Sequence, residues 1–62
     1  MFQGQAMLSP TELAEFLGVP LHTVYAWRHK GTGPKGCKVG KHVRYRMADV
    51  QAWLDVQAEP AR

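Results

Sequence analysis

Two groups of side chains in this 62-residue sequence are suited to binding a polyanion. The first comprises His22, Thr23, Tyr25, Ala26, Arg28, His29 and Lys30, with hydrogen-bonding groups at its start and cations at its end. The second comprises Lys38, Lys41, His42, Arg44 and Arg46, within a stretch, 37–46, that has no acidic residue. Short polar side chains on a helix can read base edges, whereas Lys and Arg neutralise phosphates and fix register on a duplex. Cys37 with His22, His29 or His42 points to another chemistry, that of a metal-dependent or thiol enzyme. Against it, the spacings match no compact zinc pattern, no carboxylate lies near in sequence to orient a histidine, and Cys37 suits an apolar strand face. The expectation is a non-enzyme with no catalytic residue, no metal ligand and no cofactor.

The first group must be carried by a helix, and the sequence supplies one behind a tight turn. Ser9-Pro10-Thr11-Glu12 opens a preceding helix: Ser9 caps it, Pro10 suits the first helical position, and Glu12 completes a capping box. Leu8, just before the cap, is placed to staple against Leu13. Leu13, Ala14, Phe16 and Leu17 follow at helical spacing, and Gly18 can take the left-handed conformation that ends a helix. Val19 and Pro20 form the corner. Leu21, Val24 and Trp27 then recur as the inner stripe of a second helix over Leu21–Lys30, stopped by Gly31. This is the spacing of a helix-turn-helix, with a small residue, Ala14, where the second helix crosses close. In that arrangement His22, Tyr25 and Ala26 lie nearest the bases, and the later basic residues reach phosphates. The plainer account of Arg28, His29 and Lys30 is that they complement the negative helix end on a solvated face, worth about 0.3–1 kcal/mol.

Gly31-Thr32-Gly33-Pro34-Lys35-Gly36 reads as a loop. It lacks the Gly-Lys-Ser/Thr ending at a helix start that a nucleotide P-loop needs, and no strand precedes it. Over 37–46 the period changes to two. A hairpin turning on Gly40-Lys41 alone puts Val39 on the face opposite Val43 and Tyr45. A three-residue loop, Gly40-Lys41-His42, instead gathers Cys37, Val39, Val43 and Tyr45 on one face. The three-residue loop is the expected one, leaving Lys38, Lys41, His42, Arg44 and Arg46 to the other face and the tip. Such a hairpin is a wing that tracks the sugar-phosphate backbone or enters the minor groove. The competing account is a cation-guarded edge strand that resists sheet aggregation. A last helix over 47–58 carries Met47, Val50, Trp53 and Leu54 on one stripe, with Asp49 in its first turn and Pro60 to stop it. Trp53 and Leu54 are expected to cover the inner faces of the hairpin and the first helix rather than to offer an aromatic stripe to a partner. The elements make a mainly α domain with a small β-hairpin, in the order α-α-β-β-α, a winged helix-turn-helix.

Length and composition bound what such a domain can do. One domain of this size buries only about 60% of the surface its unfolded chain exposes. Ordering costs on the order of 1.5 kcal/mol per residue, so the apolar set serves one core and leaves little for an enclosed catalytic cavity. The formal charge is +3 with pI ≈ 9.4, which fits an acidic partner. A single cysteine, Cys37, forms no internal disulfide and fits a reducing, cytoplasmic setting. The amino terminus has neither a basic start nor a long apolar core, and no stretch is long enough to span a bilayer. The expected layout is a flexible amino-terminal arm over 1–7, the domain over 8–58, and a tail over 59–62.

Taken together, these motifs carry a resemblance. The runs Thr23-Val24-Tyr25-x-Trp27 before Gly31-Thr32-Gly33-Pro34, and Val39-Gly40-x-x-Val43-Arg44-Tyr45 before Asp49-Val50-x-x-Trp53-Leu54, are similar to the excisionase and AlpA-like family. These are winged helix-turn-helix proteins related to the DNA-binding domain of MerR regulators, and the similarity covers 8–56. It implies a recombination directionality factor of phage or integrated-element origin, nucleoid-associated in a bacterial host. Such a factor binds double-stranded DNA beside the sites of an integrase, a tyrosine or serine recombinase. It self-associates cooperatively along DNA, bends it and biases recombination toward excision. Carried onto this sequence, the helix contacts come from His22, Tyr25, Arg28 and His29, and the wing contacts from Lys38, Lys41, His42 and Arg44. Pro20 departs from the family, which often has a serine or similar cap there. No long carboxy-terminal helix like that of full MerR regulators follows, so no small-molecule ligand is expected. Two alternatives stand beside this reading. One is a small MerR- or AlpA-like transcription regulator using the same contacts; the other is a phage protein-interaction or packaging adaptor whose basic face docks an acidic partner.

Overall fold

The computed structural model describes residues 7–58, so residues 1–6 of the arm expected over 1–7 and the tail over 59–62, with Pro60, lie outside the described residues. The elements run β1 (Met7–Leu8), α1 (Pro10–Leu17), α2 (Leu21–Lys30), β2 (Cys37–Val39), β3 (His42–Arg46) and α3 (Met47–Gln57). This is a winged helix-turn-helix with one strand more than the sequence predicts.

Helix α1 starts on a reciprocal cap. The Glu12 amide donates to Ser9 Oγ at 3.1 Å, and the Ser9 amide donates to Glu12 Oε1 at 2.9 Å, which satisfies two amides that a helix start leaves without partners. At its other end Gly18 sits at φ 71°, and the Val19 amide returns to the Ala14 carbonyl at 3.0 Å. The helix can therefore end within one residue and turn into the next. Pro20 has no side chain with which to cap α2; the first turn closes instead by the Thr23 amide on the Pro20 carbonyl at 3.0 Å. Gly31, at φ 81°, ends α2, and the Thr32 amide reaches back to the Trp27 carbonyl at 2.8 Å.

Leu13 and Ala14 of α1, Val24 of α2, Tyr45 of β3 and Val50 of α3 form the buried core, one or two residues from every long element. Around them pack Leu8, Leu17, Leu21, Trp27, Val43, Met47 and Leu54. Ala14 is the small residue that the crossing of α1 and α2 requires. Half-buried Trp53 lies on Trp27 of α2, ring centroids 5.1 Å apart and tilted by 51°, a contact the sequence does not announce.

The sheet differs from expectation in two ways. First, β1 pairs antiparallel with β3, Met7 opposite Arg46 and Leu8 opposite Tyr45, so the strand order is β1-β3-β2. Met7, assigned from sequence to the arm, belongs to the sheet. Two residues show no period, which is why the strand is invisible before the fold exists. Second, the hairpin loop has two residues and not three: Val39 pairs with His42, Lys38 with Val43 and Cys37 with Arg44. Gly40 at φ 64° is followed by Lys41 at a negative φ, the glycine-first pattern of a type II′ turn, whose twist matches that of the flanking strands. Turn geometry outweighs the gathering of apolar residues, and Val39 is left 53% exposed. Strand β3 then runs into α3 with no residue between them, from Arg46 to Met47.

Candidate nucleic-acid interface

Helix α2 turns Val24 fully inward and half-buries Leu21, Thr23 and Trp27. That leaves His22, Tyr25, Ala26, Arg28, His29 and Lys30 exposed on its outer side, as the spacing predicts, while Thr23 is partly withdrawn. Tyr25 presents more than half of its surface to solvent. The helix is held by Leu13 and Ala14 through Val24 and by Trp53 through Trp27.

The two-residue loop redistributes the wing's cations. His42, Arg44 and Arg46 alternate along β3 and share the outer face with Cys37 and Val39, across from which His42 and Arg44 lie. Lys38 is opposite Val43 and therefore stands on the inner face, at the exposed edge strand. Lys41 occupies the tip. The expectation of five cations on one face and the tip is thus corrected: one residue's change of loop length moves Lys38 to the face that looks toward the helices. Arg44 is half-buried, its Nη1 donating to the Val43 carbonyl at 2.8 Å, which fixes the guanidinium along the strand. Arg46 is taken up at the base of the wing by Asp49, Nε to Oδ2 at 3.1 Å. That hydrogen bond, with the carboxylate charge behind it, raises the Arg46 pKa further and keeps the side chain cationic.

Arg28 joins helix to wing. Its guanidinium lies beside Gly36 and the Tyr45 ring, so closely that a Cβ on Gly36 would stand 3.4 Å from Nη1 and 3.1 Å from the ring. Burial pushes the Tyr45 phenol above its usual value; the Arg28 charge works against that rise and Tyr25 adds to it.

The charges of the whole domain are segregated. From Glu15 to Asp49 no acidic residue intervenes, and every lysine and arginine of the described residues lies between Arg28 and Arg46. Glu12 and Glu15 sit on α1, Asp49 and Asp55 on α3. The end of α2, the loop and the wing therefore carry the cations of the described residues, divided between the two faces of the hairpin and its tip. Lys35 is among them. Sequence reading passed over this residue because the surrounding glycines and proline register first as breakers of regular structure.

Among the described residues no cluster of three or more His, Cys, Asp or Glu is placed to hold a metal ion, and Cys37 is a half-buried free thiol. No helix among them is long and apolar enough to cross a membrane.

No curated protein matches the chain. The helix-turn-helix domain family matches residues 7–57, a span that begins on the first residue of β1 and ends on the last of α3. An exposed polar face on the second helix of the turn, a cationic wing beside it and this match agree: the chain belongs to the helix-turn-helix domain family, and its function class is sequence-specific binding of DNA.

Proposed function

We propose that the protein is a non-catalytic DNA-binding accessory factor of the excisionase type. Helix α2 lies in the major groove, with His22, Tyr25 and Ala26 at base edges and Arg28, His29 and Lys30 at phosphates. The wing engages the adjoining backbone or minor groove through Lys41 at its tip and His42 and Arg44 on its outer face, with Lys38 on the other face of the hairpin. The observation that carries this reading is the segregation of charge: every lysine and arginine of the described residues lies on the end of α2, the loop or the wing, and the acidic residues lie on α1 and α3. The excisionase role itself is supported by the resemblance of the joined motifs over 8–56. In that role the protein binds cooperatively beside an integrase's sites, bends the duplex and favours excision. A domain this small offers a small interface, so useful affinity calls for neighbouring copies or a second protein on the same DNA.

The test is a gel-shift titration at physiological salt, with excess nonspecific competitor, on fragments of the surrounding locus that include any integrase attachment site. Several discrete, cooperative shifts on the attachment-site fragment support the excisionase role. A single shifted species at a promoter refutes that role and favours a transcription regulator. Absence of any competitor-resistant shift refutes specific DNA reading and assigns the cations to an acidic protein partner. Within the bound state, Arg44→Ala should weaken all DNAs alike and lower the salt slope by about one. His22→Ala should relax discrimination at one base pair, by about 1–3 kcal/mol.

A further inference from the structure

We propose that the loop between α2 and β2 is a binding site for one phosphoryl oxyanion, held by Arg28, Lys35 and the loop's own amides. An open cradle of about 340 Å³ lies between the end of α2, the loop and Tyr45. Its floor is the buried pair Pro34 and Tyr45, and its rim carries the two cations. Both are uncommitted: the ion pair among the described residues is Arg46 with Asp49, and neither Arg28 nor Lys35 donates a hydrogen bond there. The amides of Gly33, Lys35 and Gly36 likewise donate to no backbone carbonyl among the described residues. Amides without a backbone partner beside a planar guanidinium and an ammonium make a donor-rich concave surface, and a tetrahedral oxyanion is a ligand with enough acceptors to use it.

Glycine is what keeps the cradle open. A Cβ at Gly36 would stand between the Tyr45 ring and Arg28 Nη1, at 3.1 and 3.4 Å. Gly33, at φ 80°, lets the loop lie directly on Trp27. The lack of a Gly-Lys-Ser/Thr ending excludes a nucleotide P-loop but not this simpler task. The volume exceeds that of a bare phosphate and has room for the sugars on either side. The cradle also sits at the corner between the end of α2 and the wing, so a duplex engaged by both would bring its backbone close to it. The DNA reading supplies only the source of the phosphate; the site itself rests on the loop.

The experiment is an amide-resolved NMR titration of the whole chain with inorganic phosphate, against chloride at matched ionic strength. Saturable shifts at Gly33, Lys35, Gly36 and the Arg28 Nε, absent with chloride, are expected. Lys35→Gln, at an exposed position that leaves the fold intact, should raise the phosphate Kd about tenfold, and the uncharged change Gly36→Ala should do the same. Loop amides that stay still, equal shifts in chloride, or an unchanged Kd for Lys35→Gln overturn the proposal. A second arm adds duplex DNA. The same loop shifts, with a salt slope lowered by about one in Lys35→Gln, identify the DNA backbone as the source. Saturation by phosphate without any duplex binding leaves the site standing, makes a free phosphorylated molecule the source and removes the DNA reading. Duplex binding through α2 and the wing, with the loop silent to phosphate and DNA alike, removes the site and leaves the DNA reading intact.

Discussion

Replacing Gly33 by alanine puts a methyl group where Trp27 already stands. The added Cβ would lie 2.8 Å from Trp27 Cβ and 3.0 Å from Cε3, well inside ordinary contact at 3.4–4 Å, so the loop or the indole must move. Gly31 is the internal control: its φ of 81° is almost that of Gly33 at 80°, yet a Cβ there meets nothing within 4 Å. Both variants force alanine into the left-handed region at about 1–2 kcal/mol, and both recover about 0.4–1 kcal/mol from a stiffer unfolded chain. Gly31→Ala should therefore cost about 0.5–1 kcal/mol net. Gly33→Ala adds an overpacking cost of about 1–3 kcal/mol, for a total near 2–4 kcal/mol. A domain of this length holds only about 3–9 kcal/mol, so the second variant removes a large part of its stability. In thermal unfolding the expected falls in Tm are about 3–8 °C for Gly31→Ala and about 10–25 °C for Gly33→Ala. Near-ultraviolet circular dichroism supplies a second reading, because moving Trp27 disturbs its 5.1 Å pairing with Trp53. Equal losses for the two variants, with unchanged tryptophan bands in both, would refute the close approach of loop to indole.

Ser9→Ala removes the hydroxyl that accepts from the Glu12 amide and should cost about 1 kcal/mol, read as a Tm lower by about 4–8 °C. Tyr45 gives a pH dependence of defined sign. Its folded pKa is raised, so the native state holds the phenolic proton more tightly; its contribution is complete below the unfolded value near 10 and is lost as pH rises through the folded one. Denaturation at increasing alkaline pH should show that decline, and Tyr45→Phe should abolish it; a decline that persists unchanged assigns it elsewhere. Asp49→Asn frees Arg46 from its partner and removes a carboxylate at the wing's base, and should steepen the salt dependence of DNA binding by about one. An unchanged slope would place Arg46 away from the duplex.

What was legible in the sequence was local chemistry. The capping box at Ser9 and Glu12, the left-handed stop at Gly18, the helix end at Gly31, and the stripe of Leu21, Val24 and Trp27 each follow from a few neighbouring residues, and each is in the fold as expected. What was not legible depended on partners distant in sequence. Strand β1 is two residues long and exists only because β3 offers it an edge. The hairpin register set two local rules against each other, apolar gathering against turn twist, and the weights could not be judged without the helices that already fill the core. Val39 is the residue that shows the outcome, exposed where burial was expected. The same limit applies to the interface. The outward residues of α2 follow from helical period, whereas the meeting of Arg28, Gly36 and Tyr45 needs the wing folded back onto the end of α2.

The direct passage from β3 into α3 has a mechanical consequence. With no residue between Arg46 and Met47 to act as a hinge, and with β1 clamped along the other edge of β3, the wing has no soft joint at its root. A push on Lys41 at the tip is a lever on the last helix, resisted by Tyr45 and Val50 in the core. If the domain bends DNA as proposed, a duplex whose grooves do not match the separation of wing and α2 would be the partner that yields, and the domain would act as a template rather than a clasp.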